Sequence, residues 1–395
     1  MDKKWDHEIY EGAVVIPTPT ELKKDFTPEF KHKFPASYAP PQNIHLFLYP
    51  ELPDTNFLPS YFIVTFTTPQ GTLFGHTLRT EKYSICLISF YCWEVFFRKL
   101  VMRADTCLQQ GDDQFLQFLQ EIKNAQFPFL QPNTIFNLQV SVIIEKLLSS
   151  QILLLFNSLI CERRIIVVGS NYETVTTFVL SIMQLLEPLT WPHPIVTLLP
   201  KCFSELVDLP TPYICGMSNA QFTALQPFSN KVVVVDVDQG TTRSNHPDMI
   251  KMDSELLPVF ATNFLKESLK AIQRENPSQI PVLVQQTFLQ FVLKLLQAPE
   301  TFITIRKKRN MLIAEMDMEK YKKTYVYKSG SRKFIDFFVK TGAFDQYLLR
   351  LQTDLLKKSG KVIEKPEPNF WDALFQFNFP TEDLTKKRGE QYKMQ

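Results

Sequence analysis

At 395 residues, with 45% apolar and 21% charged residues, the chain has an ordinary globular composition and enough length for two or three domain-sized cores. Only 11 glycines stand against 34 phenylalanines, which leaves little material for glycine-rich loops that cradle phosphates. The net charge of +2 hides an asymmetry: residues 301–395 carry 20 Lys and Arg against 12 Asp and Glu, and residues 1–300 carry 23 against 29.

The six cysteines (86, 92, 107, 161, 202 and 215) form no CxxC pair and sit in apolar patterns, which predicts buried free thiols. No N-x-S/T sequon without proline occurs. The charged start MDKKWDHEIY is not a signal peptide, and the longest uncharged apolar stretch, Leu147 to Cys161, is too short to span a bilayer. A soluble, cytoplasmic protein is expected.

In chain order, residues 1–43 are rich in proline and charge, with aromatics at Trp5, Phe26, Phe30 and Phe34, and read as an extended arm. Residues 44–132 read as an α+β lobe. Ile44 to Tyr49 is a strand candidate. Tyr61 to Thr67 and Thr72 to Leu78 form a hairpin around Pro69-Gln70-Gly71, with Phe62, Val64 and Phe66 on one face. Tyr83 to Phe90 is a further strand. Trp93, Phe96, Phe97, Leu100, Val101 and Ala104 follow the helical period, and a second helix runs from Gln114 to Lys123.

Residues 133–240 read as an α/β lobe with a parallel sheet. An apolar helix over Val140 to Ile160 leads into a buried strand, Ile165 to Val168, ending at Gly169. Val175, Phe178, Val179, Ile182 and Leu186 then mark the stripe of a helix that packs on the sheet. Further buried strands are predicted at Ile195 to Leu199, Tyr213 to Cys215 and Val232 to Val235, with a short helix over Phe203 to Leu209. Residues 241–358 read as a helical part. It opens on a long polar loop reaching Asp253, continues with helices over Leu256 to Ile272, Leu283 to Leu296 and Phe334 to Leu349, and includes a flexible basic excursion. The tail, 359–395, holds Phe370, Trp371, Phe375, Phe377 and Phe379, read as an aromatic strap.

Bond-making motifs are absent: no GxxxxGK[ST], no GxGxxG after a strand, no GxSxG, no HExxH, and no His/Cys cluster with ligand spacing. His193 between two prolines reads as a turn residue and His76 as cross-strand packing. Asp236 and Asp238 resemble a carboxylate pair at a strand end, but no third ligand is evident, so a structural or partner-contact role is favoured. No metal, no cofactor and no nucleic-acid partner is expected.

One stretch carries a family resemblance. E-R-R-I-I-V-V from Glu162, the L-x-x-L-x-x-P-x-x-W-P-H run ending at His193, L-L-P, and L-P-T-P-Y-I-C-G-M ending at Met217 resemble the central segment of DENN domains. G-T-L-F-G-H-T-L-R and C-L-I-S-F resemble the upstream, longin-like lobe, and Phe334 to Leu348 resembles the downstream segment. The resemblance implies a Rab guanine-nucleotide exchange factor acting in membrane traffic, with the GTPase docked across the two lobes and no bond-making side chain.

Two other functions stay open: a GTPase-activating protein of the folliculin-like class, and a non-catalytic GTPase- or lipid-binding scaffold. Ligands of parallel sheets lie beyond the carboxyl ends of the strands. The expected GTPase contacts are therefore Asn171, Asp236, Asp238, Arg243 and Asn245, with Arg79 and Lys82 from the upstream lobe. Arg306, Lys307, Lys308, Arg309, Lys320, Lys322 and Lys323 form a basic segment open to three readings: a peripheral contact with an anionic endomembrane, a segment that blocks the site, or a solvated helical surface.

Overall fold

The structure, a computed structural model, describes residues 9–21, 28–52, 58–68, 71–125, 136–137, 140–276, 278–308 and 311–360. The aromatic strap, the Pro69-Gln70 turn, Trp5, Phe26 and Arg309 lie outside them. The fold is mixed α/β, as the pattern of elements predicts.

The first sheet begins earlier than expected. β1 (Gly12–Pro17) is a buried run of small and β-branched residues, so residues 12–17 are a strand rather than part of an extended arm. It lies between β2 (His32–Phe34) and β5, within the order β2-β1-β5-β4-β3. Pro17, which lacks an N–H for the ladder, ends it. The expected strand at Ile44 to Tyr49 is instead a short helix, α1 (Ile44–Leu48). The alternation of Ile44, Leu46 and Leu48 imitates a strand, but His45 is buried as well, so the alternation marks no face. β3 (Ser60–Thr68) and β4 (Gly71–Arg79) form the expected antiparallel hairpin, and β4 continues antiparallel to β5 (Tyr83–Ser89).

A short strand, β6 (Cys92–Trp93), leads into α2 (Glu94–Gln110) and α3 (Asp112–Asn124), after which β7 (Phe136–Asn137) pairs parallel with β6. α2, with Trp93 just before it, covers one face of the sheet, packing Trp93, Phe97, Val101, Ala104 and Leu108 against Val15, Leu78, Ile85 and Leu87.

The apolar run after Val140 is two helices, α4 (Val142–Lys146) and α5 (Ser149–Ile160), because Leu147 and Leu148 are extended. β8 (Ile165–Gly169) is buried along its length, and α6 (Tyr172–Leu185) follows. β9 spans only Ile195–Val196, and the segment predicted as a short α-helix is a 3-10 stretch, Lys201–Asp208. Then come β10 (Ile214–Ser218), α7 (Asn219–Ala224), β11 (Val233–Asp236) and β12 (Thr241–Ser244). The sheet order is β12-β11-β8-β10-β9, parallel except for β12, which folds back antiparallel on β11.

The expected long polar loop to Asp253 is therefore β12 followed by α8 (Pro247–Leu256). α9 (Val259–Ile272) and α10 (Ile280–Leu296) pack behind it, before a 3-10 turn at Pro299–Phe302.

The chain divides into two compact units. The first, residues 1–302 and 317–349, holds both sheets and also α11 (Met318–Ser329), α12 (Arg332–Phe338) and the start of α13 (Gly342–Gly360). The single helix expected over Phe334 to Leu349 breaks at Thr341, whose hydroxyl accepts from the Phe344 amide at 3.3 Å and donates to the Phe338 carbonyl at 2.7 Å. The second unit, residues 303–316 and 350–395, holds an antiparallel hairpin of β13 (Ile303–Lys308) and β14 (Met311–Met316). The Gln352 side chain donates to the Ala314 carbonyl at 3.0 Å within it. Of the basic residues read as a flexible excursion, Arg306 to Lys308 are thus on a β-ladder, and those from Lys320 to Lys333 are on α11 and α12.

Within the first unit α6 serves both sheets. It fills the far side of the parallel sheet and also covers β3, the edge of the first sheet. The Ile63 amide donates to Thr176 Oγ1 at 3.2 Å, and Thr65 Oγ1 donates to the Ile195 carbonyl at 3.3 Å. Covering that edge satisfies ladder groups that would otherwise recruit another chain. Gly216 permits the approach of α6 to β10, since a Cβ there would meet Val175 at 2.6 Å and collide with the Thr197 backbone.

His76 is fully buried in the first lobe. Its Nε2 donates to the Tyr91 carbonyl at 3.0 Å, its Nδ1 accepts from the Tyr61 hydroxyl at 2.9 Å, and its ring stacks on Phe97 at 4.1 Å. Burial pulls its pKa down to about 3, against an ordinary 6.5. The folded chain refuses a proton that the unfolded chain accepts below about pH 6.5, so stability is complete above that pH and falls as pH drops toward 3. Between pH 7 and pH 5 the loss from this group should be about 2 kcal/mol, at about 1.4 kcal/mol per pH unit below 6.5. Urea titrations of wild type and His76→Gln at both pH values check this: the variant should lose that share of the pH dependence, and equal dependence in the two would contradict it.

Candidate functional site

The carboxyl ends of β8, β10 and β11 converge, and the residues there are tied to one another. Asp238 Oδ2 accepts from the Ser170 amide at 2.7 Å and from Asn219 Nδ2 at 2.8 Å, so one carboxylate staples three strand-end loops. Asp236 Oδ1 accepts from the amides of Asp238 and Gln239 at 3.1 and 2.9 Å, which shapes the turn out of β11. Asn171 caps α6, accepting from the Thr174 amide at 3.0 Å. Among the described residues no group of three or more His, Cys, Asp and Glu side chains could hold a metal ion.

Arg243 and Asn245 do not join this cluster. β12 runs back along β11, pairing Arg243 with Val234, and Asn245 holds the opposite end of the strand. Its side chain accepts from the Val232 amide at 2.9 Å and donates to the Asn230 carbonyl at 2.8 Å. Nearness in sequence to Asp238 therefore does not place these two at the same end of the sheet.

The junction of the two sheets gathers a different set of residues. Arg79, at the end of β4, is buried rather than solvent-facing. Its guanidinium lies 5.2 Å from the centre of the Tyr49 ring and donates to the Glu51 carbonyl at 2.9 Å, and burial pulls its pKa down. Tyr172, the first residue of α6, donates to the Glu51 carboxylate and meets the Phe62 ring edge-on at 5.6 Å. Burial, reinforced by that carboxylate, pushes the phenol pKa up. One residue on, Glu173 pairs with Arg98 of α2, which donates through Nη2 at 3.2 Å. Burial raises the Glu173 pKa and Arg98 opposes it.

Around this polar knot the surface is partly apolar. Leu58, just before β3, is 79% exposed, Leu52 follows Glu51 and is 42% exposed, and Val95 in the first turn of α2 is 41% exposed. Lys82 in the β4–β5 turn and Lys99 one turn along α2 from Val95 are exposed cations. Of the residues predicted from sequence, Asn171, Arg79 and Lys82 belong to elements at this junction. Tyr49, Glu51, Val95, Tyr172 and Glu173 were missed, and Arg98 was not among the expected contacts. The one available signal was the position of Val95 off the buried stripe of α2, where a solvated helix face normally carries a polar residue.

The basic segment splits. Arg306, Lys307 and Lys308 lie on β13 in the second unit, with Arg306 facing Glu315 at 3.9 Å. Lys320, Lys322 and Lys323 lie on α11 in the first. No helix among the described residues is long and apolar enough to cross a membrane.

Comparison with known proteins adds the family. The model of the DENN (AEX-3) domain matches residues 94–240, from the first residue of α2 to the turn after β11. Residues 94–240 are a DENN domain. Similar proteins include mouse DENN domain-containing protein 1B, 24% identical over 287 residues that cover 65% of this chain and 37% of that protein. Human DENN domain-containing protein 2C is 26% identical over 208 residues, covering 51% and 22%. Human DENN domain-containing protein 1A is 22% identical over 282 residues, covering 62% and 27%. The chain thus matches well under half the length of these relatives.

Inside the DENN domain the three charges that open the central motif act as bolts. Glu162 accepts from the Ala343 amide at 2.8 Å, at the start of α13, and its other carboxylate oxygen lies 3.2 Å from His193 Nε2. Arg163 forks onto Asp253 of α8, with Nε donating at 3.0 and 3.2 Å and Nη2 at 2.6 Å. Arg164 donates to the carbonyls of Leu209, Pro210 and Lys231. These residues join the parallel sheet to its flanking segments, and none is left over for a partner.

Asp253 is only 2% exposed, so removing its partner strands a charge. Arg163→Ala should cost about 3–5 kcal/mol of unfolding free energy. The double variant Arg163→Met/Asp253→Leu should recover most of it. A single-variant loss under about 1 kcal/mol in denaturant titration, the size of an exposed pair, would contradict this assignment.

Proposed function

We propose that this chain is a guanine-nucleotide exchange factor for a Rab-type small GTPase, and that the GTPase docks across the junction of the two sheets. The observation that carries this reading is the junction itself, in a chain with a DENN domain. It joins exposed apolar side chains (Leu52, Leu58, Val95) and exposed cations (Lys82, Lys99) to a scaffold of the buried Arg79 and the half-buried Glu51, Tyr172, Arg98 and Glu173. An apolar patch with a polar rim on a rigid support is what a protein-docking surface requires. In this reading the first lobe is the longin-like lobe that the family resemblance implies.

Exchange needs no covalent step. The factor must bind the nucleotide-free GTPase better than the loaded one, because only a differential affinity shifts an equilibrium. A nucleotide held at picomolar affinity is worth about 16 kcal/mol, and a surface that draws the switch loops away from it can offset much of that. The strand-end loops at Asn171 and Asp238 are stapled internally, and they serve as a platform whose exposed backbone and neighbouring side chains meet the client. Asp236, Arg243 and Asn245 hold turns or edges and contribute less.

The activating alternative needs a free arginine to reach a GTPase. Of the two arginines at the junction, Arg79 is buried and Arg98 is engaged by Glu173, and neither favours it. A panel of Rab proteins loaded with fluorescent GDP tests the reading. At least one should release nucleotide about tenfold or more faster with this chain, and Val95→Asp should remove about a tenfold share of that gain while leaving Tm unchanged. Faster hydrolysis instead of release would favour the activating reading, and no acceleration with any Rab would overturn the proposal.

A further inference from the structure

The helix α11 has one face it must bury and one it leaves open. Tyr321 and Tyr325, four residues apart, point inward. Tyr321 donates to the Leu296 carbonyl at 2.7 Å and stacks with Phe344 at 5.9 Å, and Tyr325 lies 5.9 Å from Phe334. These contacts fix the rotation of the helix about its axis. The residues at the i, i+3, i+7 positions of the opposite face are Lys320, Lys323 and Tyr327, all exposed, with Tyr327 at 91%. Lys328 lies beside Tyr327, and Arg332 and Lys333 extend the exposed cations onto the first turn of α12.

The charge on this surface is one-sided. Residues 318–333 contain six Lys and Arg and a single carboxylate, Glu319. Asp317 is occupied as the cap of α11, accepting from the Lys320 amide at 3.0 Å, and Asp336 takes Lys322 at 3.6 Å. Lys322 is thereby turned away from the open stripe. The sequence places Lys320, Lys322 and Lys323 in one basic run, and the helix separates the first and third from the second.

We propose that the Lys320–Lys323–Tyr327 face, with Lys328, Arg332 and Lys333, is a contact for an anionic lipid surface. Two features favour a membrane over an acidic protein. The face offers one aromatic and no aliphatic cluster, so it lacks the apolar core that a stable protein interface buries, and lysine is depleted from such cores. Lysines on flexible stems around an amphipathic ring suit the headgroup layer, where each cation adds to the attraction and tyrosine sits with its hydroxyl in water. The inference does not rest on the GTPase reading, since it uses only the geometry and charge of α11 and α12.

Sedimentation of the full chain with vesicles of phosphatidylcholine, with and without about 30 mol% phosphatidylserine, tests it. Binding should require the anionic lipid and weaken as salt rises from about 0.1 to 0.5 M. Lys320→Gln/Lys323→Gln/Lys328→Gln should lower the partition coefficient about tenfold or more, and Tyr327→Ser several-fold, with unchanged Tm because all four side chains are exposed. Removing the same charge elsewhere, by Lys231→Gln/Lys251→Gln/Lys266→Gln, should leave binding within about twofold. Equal loss from the two triple variants would show attraction by net charge alone and overturn the assignment. So would equal binding to neutral vesicles, or no binding of the wild type.

Discussion

The structure depends on one helix being shared by two sheets. α6 is the crossover helix of the parallel sheet, and it also closes the open edge of the antiparallel one through the Ile63 amide and Thr176. Its first two residues then reach the first lobe, Tyr172 to Glu51 and Glu173 to Arg98. Thr177 donates to the Glu94 carboxylate at 3.3 Å from the next turn. An uncovered edge strand and an unsupported crossover helix would each be liabilities alone, and together they satisfy one another. The arrangement fixes the two sheets at one distance, which a surface spanning both must have.

That constraint explains why so many of the charged residues are occupied. Asp238, Asp236, Glu162 and Arg164 each hold two or more backbone or side-chain partners, and Arg163 forks onto Asp253, at separations in sequence of up to 181 residues. They build a stiff platform. A protein that works by differential affinity for two states of a partner gains from stiffness, because energy spent deforming itself is not available to deform the partner. The working residues are then those left at the rim of the junction, which are fewer and less polar than a search for charged loops suggests.

Much of the fold is legible in the sequence where a single local rule decides. β8, β10 and β11 are short runs rich in Ile and Val, uncharged up to the Asp236 that ends β11, and α2 and α6 carry full helical stripes. The errors have local causes too. β1 hides among prolines and charges, α1 imitates a strand, and the polar Thr241-Thr242-Arg243-Ser244 becomes an antiparallel edge because its ladder is set by β11. That reversal carries Asn245 to the wrong end of the sheet for the site first expected. The junction was not legible at all: Glu51 and Tyr172 are 121 residues apart, Arg98 and Glu173 are 75 apart, and no periodicity links them.

The central claim is that a partner meets both lobes at the α2–α6 junction. Hydrogen–deuterium exchange of the full chain, alone and with a nucleotide-free Rab that it binds, reads this directly. The account predicts added protection in peptides covering the first turns of α2 around Val95 and the β8–α6 connection at Ser170–Tyr172, with none at β12. Protection confined to β12, or to one lobe alone, would contradict it.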